Sequence, residues 1–435
     1  MVNVAVIGCA HGELDNIFHL VRYMMTQKNV AIDLLICCGD FQAVRNRQEM
    51  ESMAVPAKFR RMTDFHRYYD GSAQAPVLTI FVGGNHEASS YMAELPYGGW
   101  VAPNIYYLGI AGVVNVCGLR IAGLSGIYKS HDYYRGHFEV PPYSNSTVRS
   151  VYHTRSEDVF RLKCIRQPID VFVSHEWPLG IHHFGDYSTL FTRKPFLRDD
   201  AENDQLGSPP GRELLEQLKP RFWFAAHLHV KFAAFCDHGA GRSTRFLALD
   251  KCLPHRKFAQ VVQIPTSGAE NVPAKLMYDL EWLAILRQTD HLMKSFVKTA
   301  PAEADLNGHT TVLPFYLNPQ TKIFCDKLGI TDIPSILQKR VPTSVSSKES
   351  KDDPSGSSSI FDSFLSSTTA TFSESSFNPD EILLDETGSE AVEKEISTCE
   401  NDLSFAGLKR VISCDSGAPA MLKRRNESIY SDTPE

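Results

Sequence analysis

The chain lacks any apolar run long enough to cross a bilayer, which excludes a helical membrane span. Its start, Met1-Val-Asn-Val-Ala-Val-Ile7, lacks the basic residues and long apolar core of a secretory leader and reads as a first strand. The expected setting is therefore intracellular, with the ten cysteines mostly reduced. Those cysteines include no Cys-x-x-Cys pair, so a structural zinc knuckle is not expected. Internal repeats are absent as well, which argues against a solenoid or propeller.

What is present is ordinary for a globular protein: 435 residues, 43% hydrophobic and 22% charged. The net charge of −7, taken as an average, disfavours a polyanionic partner. It is unevenly spread. From Val341 onward there are 18 acidic against 8 basic residues; the remaining 340 residues hold 33 against 36 and carry +3. The body therefore tolerates a nucleic acid. The stretch 341–435 is Ser/Thr-rich, acidic and without periodicity, and is expected to be disordered. Within it, Lys409-Arg410 and Lys423-Arg-Arg425 are two basic clusters twelve residues apart. They read equally as a bipartite nuclear import signal or as solvated charges on a tail.

The chain is organised around Gly83-Gly-Asn-His-Glu87, which follows an apolar strand at 77–82. Other polar residues end apolar runs in the same way: Cys9 and His11 after 2–8, Asp40 after 32–38, His175 after 169–174, and His227 and His229 after 221–226. Strands are also expected at 119–124, 232–235 and 245–249, and helices after Gly12, within 43–69 and at 276–286. Interspersed strands and helices indicate an α/β architecture. Strands lying side by side would bring these side chains to one carboxyl edge, where ligands bind in such folds. Imidazoles, a carboxylate and a thiolate suit zinc, iron or manganese, and Asp40, with two oxygens, is the natural bridging ligand. Taken singly, each residue has a bland reading: a hydrogen-bonded histidine, a buried small cysteine, a turn aspartate. Five strand ends carrying ligand-type residues together are hard to obtain by chance. Cys37 and Cys38 are expected to fill the core on opposite faces of one strand.

Residues 125–156 form a long insertion rich in tyrosine, histidine and arginine, and are expected to be a binding loop rather than a disordered one. Their candidate contact residues are Tyr128, Lys129, His131, Tyr133, Tyr134, Arg135, His137, Tyr143 and Arg149. About half of the tyrosines are expected to pack onto the core instead.

The order Cys-x-His, Gly-Asp, Gly-Asn-His-Glu, lone His and His-x-His resembles the calcineurin-like metallophosphoesterases and, more closely, the RNA lariat debranching enzymes. The stretches that carry the likeness are Gly8-Cys-Ala-His-Gly-Glu-Leu-Asp15, Cys38-Gly-Asp-Phe-Gln-Ala-Val-Arg45, Leu95-Pro-Tyr-Gly-Gly-Trp-Val-Ala-Pro-Asn-Ile-Tyr-Tyr107 and Ala226-His-Leu-His-Val-Lys-Phe-Ala-Ala234. The likeness is dense over the first 260 residues and looser to about 335. It implies a four-layer α/β/β/α sandwich of two mixed sheets, divided as a catalytic domain over 1–260, with a recognition loop at 125–156, and a C-terminal segment over 261–340. It further implies metal-dependent hydrolysis of the 2′,5′-phosphodiester at the branch point of lariat intron RNA, in the nucleus, with no membrane or DNA partner. One metal would be held by Cys9, His11, Asp40 and His229, the other by Asp40, Asn85, His175 and His227. His86 would be the general acid. Glu87 either orients His86 or caps the helix that follows. The wider superfamily has Asp where this chain has Cys9, which disfavours magnesium and favours iron or zinc; the cofactor expected for the whole ligand set is a divalent metal, Fe(2+), Zn(2+) or Mn(2+). A nuclease or phosphomonoesterase on the same core would carry a different insertion after Gly126, and a non-catalytic scaffold would show eroded ligands.

Overall fold

The computed structural model describes residues 1–266, 274–292 and 316–339. The apolar runs become strands buried on both faces, the pattern of a mostly parallel sheet between covering layers. In chain order they are β1 (Val2–Ile7), β2 (Leu34–Cys37), β3 (Thr79–Phe81), β4 (Gly99–Ala102), β5 (Ile105–Tyr107), β6 (Ala111–Val116), β7 (Leu119–Leu124), β8 (Val171–Ser174), β9 (Phe222–Ala225), β10 (Phe232–Asp237), β11 (Ser243–Ala248), β12 (Ala259–Ile264) and β13 (Leu276–Tyr278). One sheet runs β12-β1-β2-β3-β5-β4, the other β10-β11-β9-β8-β7-β6-β13.

The alternation of side chains along each strand sorts them into layers. Val4, Val6, Leu34, Ile36 and Ile80 point between the sheets and meet Ile121, Val171, Val173, Phe224 and Leu247 of the second sheet. Ala5, Ile7, Leu35 and Phe81 point outward, against Leu14, Ile17, Phe18 and Val21 on one face of the helix Leu14–Thr26. On the far side, Ala122, Phe172, Trp223 and Phe246 pack against Val159 and Leu162 of the helix Ser156–Lys163 and Leu214, Leu215 and Leu218 of the helix Pro209–Leu218. The result is the expected helix–sheet–sheet–helix stack. Cys37 and Cys38 do face opposite sides, one outward and one between the sheets.

The C-terminal part differs from the sequence reading. A single helix expected over 276–286 is a strand followed by a helix. β13 pairs antiparallel with β6 through Leu276–Val116 and Tyr278–Val114. Asp279 then accepts the Trp282 N–H at 2.9 Å and starts the helix Leu280–Gln288, a side-chain N-cap that resets the chain. The division at 260 falls inside β12, which runs antiparallel to β1. Strands β4, β5, β6 and β12 were not foreseen. β4 and β5 are short and joined by a turn in which Asn104 adopts positive φ. Residues 316–339 dock on the core: Gln320 exchanges hydrogen bonds with the backbone of Trp100 at 3.0 and 2.9 Å, and the Tyr97 hydroxyl donates to the Thr331 carbonyl at 2.7 Å. The tail at 341–435, with its two basic clusters, lies outside the described residues. Among the described residues, no helix is long and apolar enough to cross a membrane.

Strands β1, β2, β3 and β5 are mutually parallel, as are β7, β8, β9 and β11. Both sets bring the loops after their carboxyl ends to one edge, and the candidate ligands lie on those loops.

Candidate metal centre

Tight loops hold the ligand-type residues. His11, Asp40, Gln42, His227 and His229 all take left-handed φ between 47° and 67°. For residues other than glycine this is uncommon and costs energy, and it concentrates at functional sites. Two glycines give the loops room. A Cβ on Gly39 (φ 112°) would collide with the His175 imidazole, and one on Gly84 with the Asp40 carboxylate.

Donor atoms of Cys9, His11, Asp40 and His229 all lie within 4.8 Å of one another. The Nε2 atoms of His11 and His229 are 3.1 Å apart, and His11 Nε2 is 3.7 Å from Asp40 Oδ2. The other oxygen, Asp40 Oδ1, faces a second group: His175 Nε2 is 3.4 Å away and lies 3.2 Å from Asn85 Oδ1. The His227 ring sits against that of His175, centroids 4.9 Å apart. One carboxylate thus turns an oxygen to each of two donor groups, the arrangement of a bridging ligand.

The surroundings fix each donor. His175 donates its Nδ1–H to the Cys38 carbonyl at 2.8 Å, which turns Nε2 toward the cleft. The His227 backbone N–H donates to Cys9 Sγ at 3.2 Å, and Gln42 Nε2 approaches His11 Nδ1 at 3.4 Å. Burial depresses the imidazoles, His11 to about 4, His229 to about 2 and His227 well below its ordinary value, so they stand neutral with lone pairs available. Burial alone would raise the Asp40 carboxyl, but His175, His86 and His11 and the His86 backbone N–H hold it far below the carboxylate range. Burial, reinforced by Asp40, pushes the Cys9 thiol well up, so capture of a cation there would release a proton. Thiol, imidazole, amide and carboxylate donors converging around one shared carboxylate fit a pair of borderline-soft divalent cations.

His86 is half-buried at the rim. Its backbone N–H donates to Asp40 Oδ1 at 2.9 Å, and its ring centroid is 5.4 Å from that of His11. Glu87 does neither of the things expected of it. Its carboxylate accepts the backbone N–H groups of Phe41 (2.6 Å), Gln42 (2.8 Å) and Gly84 (3.1 Å), tying the Asp40 loop to the Asn85 loop. The loop residues divide. Tyr134 is 78% exposed; His131, Arg135 and Arg149 are exposed; Tyr128, Lys129 and Tyr133 are half-buried. Tyr133 meets Tyr128 and Tyr134 edge-on at centroid distances of 5.3 and 4.9 Å. His137 and Tyr143, expected to contact RNA, are instead turned inward. His137 lies 2.7 Å from the Asp158 carboxylate, and Tyr143 is 3% exposed.

Sequence reasoning missed what anchors the insertion. Arg155 is completely buried and donates to Glu139 Oε1 (2.6 Å), the Asp132 carbonyl (2.7 Å) and the Ser150 carbonyl (2.9 Å). Asp132 in turn pairs with His153 at 2.7 Å. No spacing signal marks such a network, because its members lie on irregular segments.

Comparison with known proteins bears on this cleft. Residues 2–231 match the family model for calcineurin-like phosphoesterases, and residues 241–295 that for the C-terminal domain of lariat debranching enzymes. The chain is 46% identical to a mouse lariat debranching enzyme, with 88% of this chain and 79% of the mouse protein covered. It is 47% identical to the human one, over 88% and 80%. An Arabidopsis thaliana lariat debranching enzyme is 53% identical over 66% of this chain and 68% of that protein.

Proposed function

This chain belongs to the calcineurin-like phosphoesterases and, among them, to the lariat debranching enzymes; from that premise we propose that the cleft around Asp40 is where it works on branched RNA. It is a metal-dependent hydrolase of the 2′,5′-phosphodiester at the branch point of excised intron lariats. The observation that carries the site assignment is the Asp40 carboxylate, with Oδ2 toward His11 and Oδ1 toward His175.

Cys9, His11, Asp40 and His229 would hold one cation, and Asp40, Asn85, His175 and His227 the other. A cation pair so held supplies Lewis acidity, neutralising phosphate charge and lowering the pKa of the attacking water. The chain's own residues do the rest. Asp40 fixes the separation of the two positions, and Glu87 holds its loop. His86, locked through its backbone to Asp40, donates a proton to the departing 2′-oxygen, which would otherwise leave as a poor alkoxide. Tyr134, with the edge of the Tyr128 and Tyr133 pair, offers ring faces to splayed bases, as single-stranded RNA recognition requires. Sulfur from Cys9 favours iron or zinc over magnesium. An intron substrate supports a nuclear setting, with Lys409, Arg410 and Lys423 to Arg425 read as an import signal; neutralising both clusters in a fluorescent fusion should move it to the cytoplasm.

The decisive assay offers the anaerobically purified protein a 2′,5′-branched RNA, a linear 3′,5′ RNA and a phosphomonoester, with metal content measured alongside. Cleavage of the branch at least about tenfold faster than the other two is expected. Equal rates on all three would leave a general phosphoesterase.

A further inference from the structure

Two lysines act electrostatically on the donor groups of the cleft. Lys129, from the insertion, exerts its charge on His227. Lys251, following β11, exerts its charge on His11 and His229. The position of Lys251 is set by backbone pairing. Cys9 and Lys251 form a parallel bridge, and the Cys252 N–H donates to the Cys9 carbonyl at 2.9 Å. The neighbouring acid does not neutralise it. Asp250 is taken by Arg256 at 3.3 Å and by the Lys251 backbone N–H at 2.7 Å. Among the described residues, no carboxylate forms an ion pair with the Lys251 ammonium. Lys251 also lies outside the stretch matching the general phosphoesterases, 2–231, and inside the debranching-specific stretch, 241–295.

An ammonium beside a cation site repels the cation, so this placement calls for an anion from elsewhere. A branch nucleoside carries three phosphodiesters, on its 5′, 3′ and 2′ oxygens. The scissile one occupies the centre, and two remain. Resting on the function proposed above, we propose that Lys251 forms a subsite for a non-scissile phosphate of the branched RNA, on the wall lined by Cys9, His11 and His229. With Lys129 acting on His227, the cleft reads three phosphates diverging from one nucleoside, where a nucleoside of a linear strand carries two.

The test uses the full-length, metal-loaded protein in a His86→Ala background and a minimal branched RNA with one nucleotide on each arm. Each non-scissile linkage is replaced in turn by an uncharged methylphosphonate. Lys251→Gln should weaken binding about tenfold and lower the salt slope by about one, with metal content unchanged. Lys251→Arg should retain affinity. One methylphosphonate should cause the same loss and none further in Lys251→Gln, as coupled partners do. Losses that add at both linkages, unchanged affinity in Lys251→Gln, or metal loss in that variant would overturn the subsite. Failure of the protein with His86 intact to cleave branched RNA would overturn the function instead, and the binding series would still decide the subsite.

Discussion

Two parts of the molecule bury clusters of polar side chains, and they do opposite things with them. In the cleft, four imidazoles, a thiol and an amide surround one carboxylate, and the donors face one another rather than opposite charges. In the insertion at 125–156, charges are answered: Arg155 by Glu139, Asp132 by His153, and His137 by Asp158. The backbones differ in the same sense. The cleft holds five non-glycine residues at left-handed φ, at about 1–3 kcal/mol each, whereas no non-glycine residue of 125–156 adopts it. A strained shell of like donors is completed by a ligand; pairs of opposite charge need none. The first reads as chemistry, the second as the rigid mount of a recognition surface.

The sharpest way to break this contrast is at Asp40. Asp40→Asn removes the shared anion, and activity on branched RNA should fall by more than about 10³-fold, roughly 4 kcal/mol of barrier. Bound metal, measured by elemental analysis, should fall with it, and the melting temperature at neutral pH should fall too, because a carboxyl held far below its ordinary range is stabilised as the anion in the fold. A variant that kept both metals would show that Asp40 does not bridge. His86→Ala should lower kcat by about 10²–10⁴ with metal content unchanged; metal loss there would move His86 from acid to ligand.

Arg155→Met tests the other side. It leaves Glu139 buried without its partner, at a cost of about 3–5 kcal/mol, read as a lower denaturation midpoint and earlier proteolysis within 125–156. Metal content should not change. Equal stability in Arg155→Met would mean the network is ornamental.

The two parts also differ in how far their sequence could be read. The cleft was legible because strand ends repeat a pattern: an apolar run, then a ligand-type residue, five times over. Buried parallel strands force that pattern, and their shared edge makes it converge. The role of Glu87 was not legible, since a carboxylate accepting three backbone N–H groups looks like any acid after a histidine. Nor was that of Lys251, which reaches the site through β11, far from the motifs. In the insertion, the aromatic and basic content marked a binding loop, but composition does not tell which way a side chain turns. His137 and Tyr143 go inward because Asp158 and the core receive them, while Tyr134 stays out. At the C-terminal end, Asp279 looked like one more polar residue in a helical period, and its capping bond divided that period into β13 and a helix.

Tyr134 offers a gentler test of the insertion. Because it is exposed, Tyr134→Ala should leave the denaturation midpoint unchanged. Stacking is worth about 1–3 kcal/mol per base, so KM for branched RNA should rise about tenfold with kcat preserved. Tyr143→Ala should do the reverse, lowering stability through a cavity with KM following only as the fold loosens.

The smallest expected effect separates the two regions by the protonation of their histidines. In the cleft, burial holds His11 and His229 neutral. At His137 burial acts in the same direction, but the adjacent Asp158, aided by Glu157, outweighs it against an opposing contribution from Arg155 and raises the pKa above its ordinary value. A raised folded-state pKa means that the folded protein binds the proton more tightly than the unfolded chain. The stabilisation is then fully present below the ordinary value near 6.5 and is lost as pH rises through the raised folded value. Thermal melts from pH 6 to pH 8.5 should therefore show a decline in Tm of about 2–4 °C that His137→Gln diminishes, the remainder belonging to the buried carboxyls of Glu87, Glu94 and Glu157, which burial raises into the same range. A decline unchanged by the substitution would place the titrating group elsewhere and leave His137 an uncharged core residue.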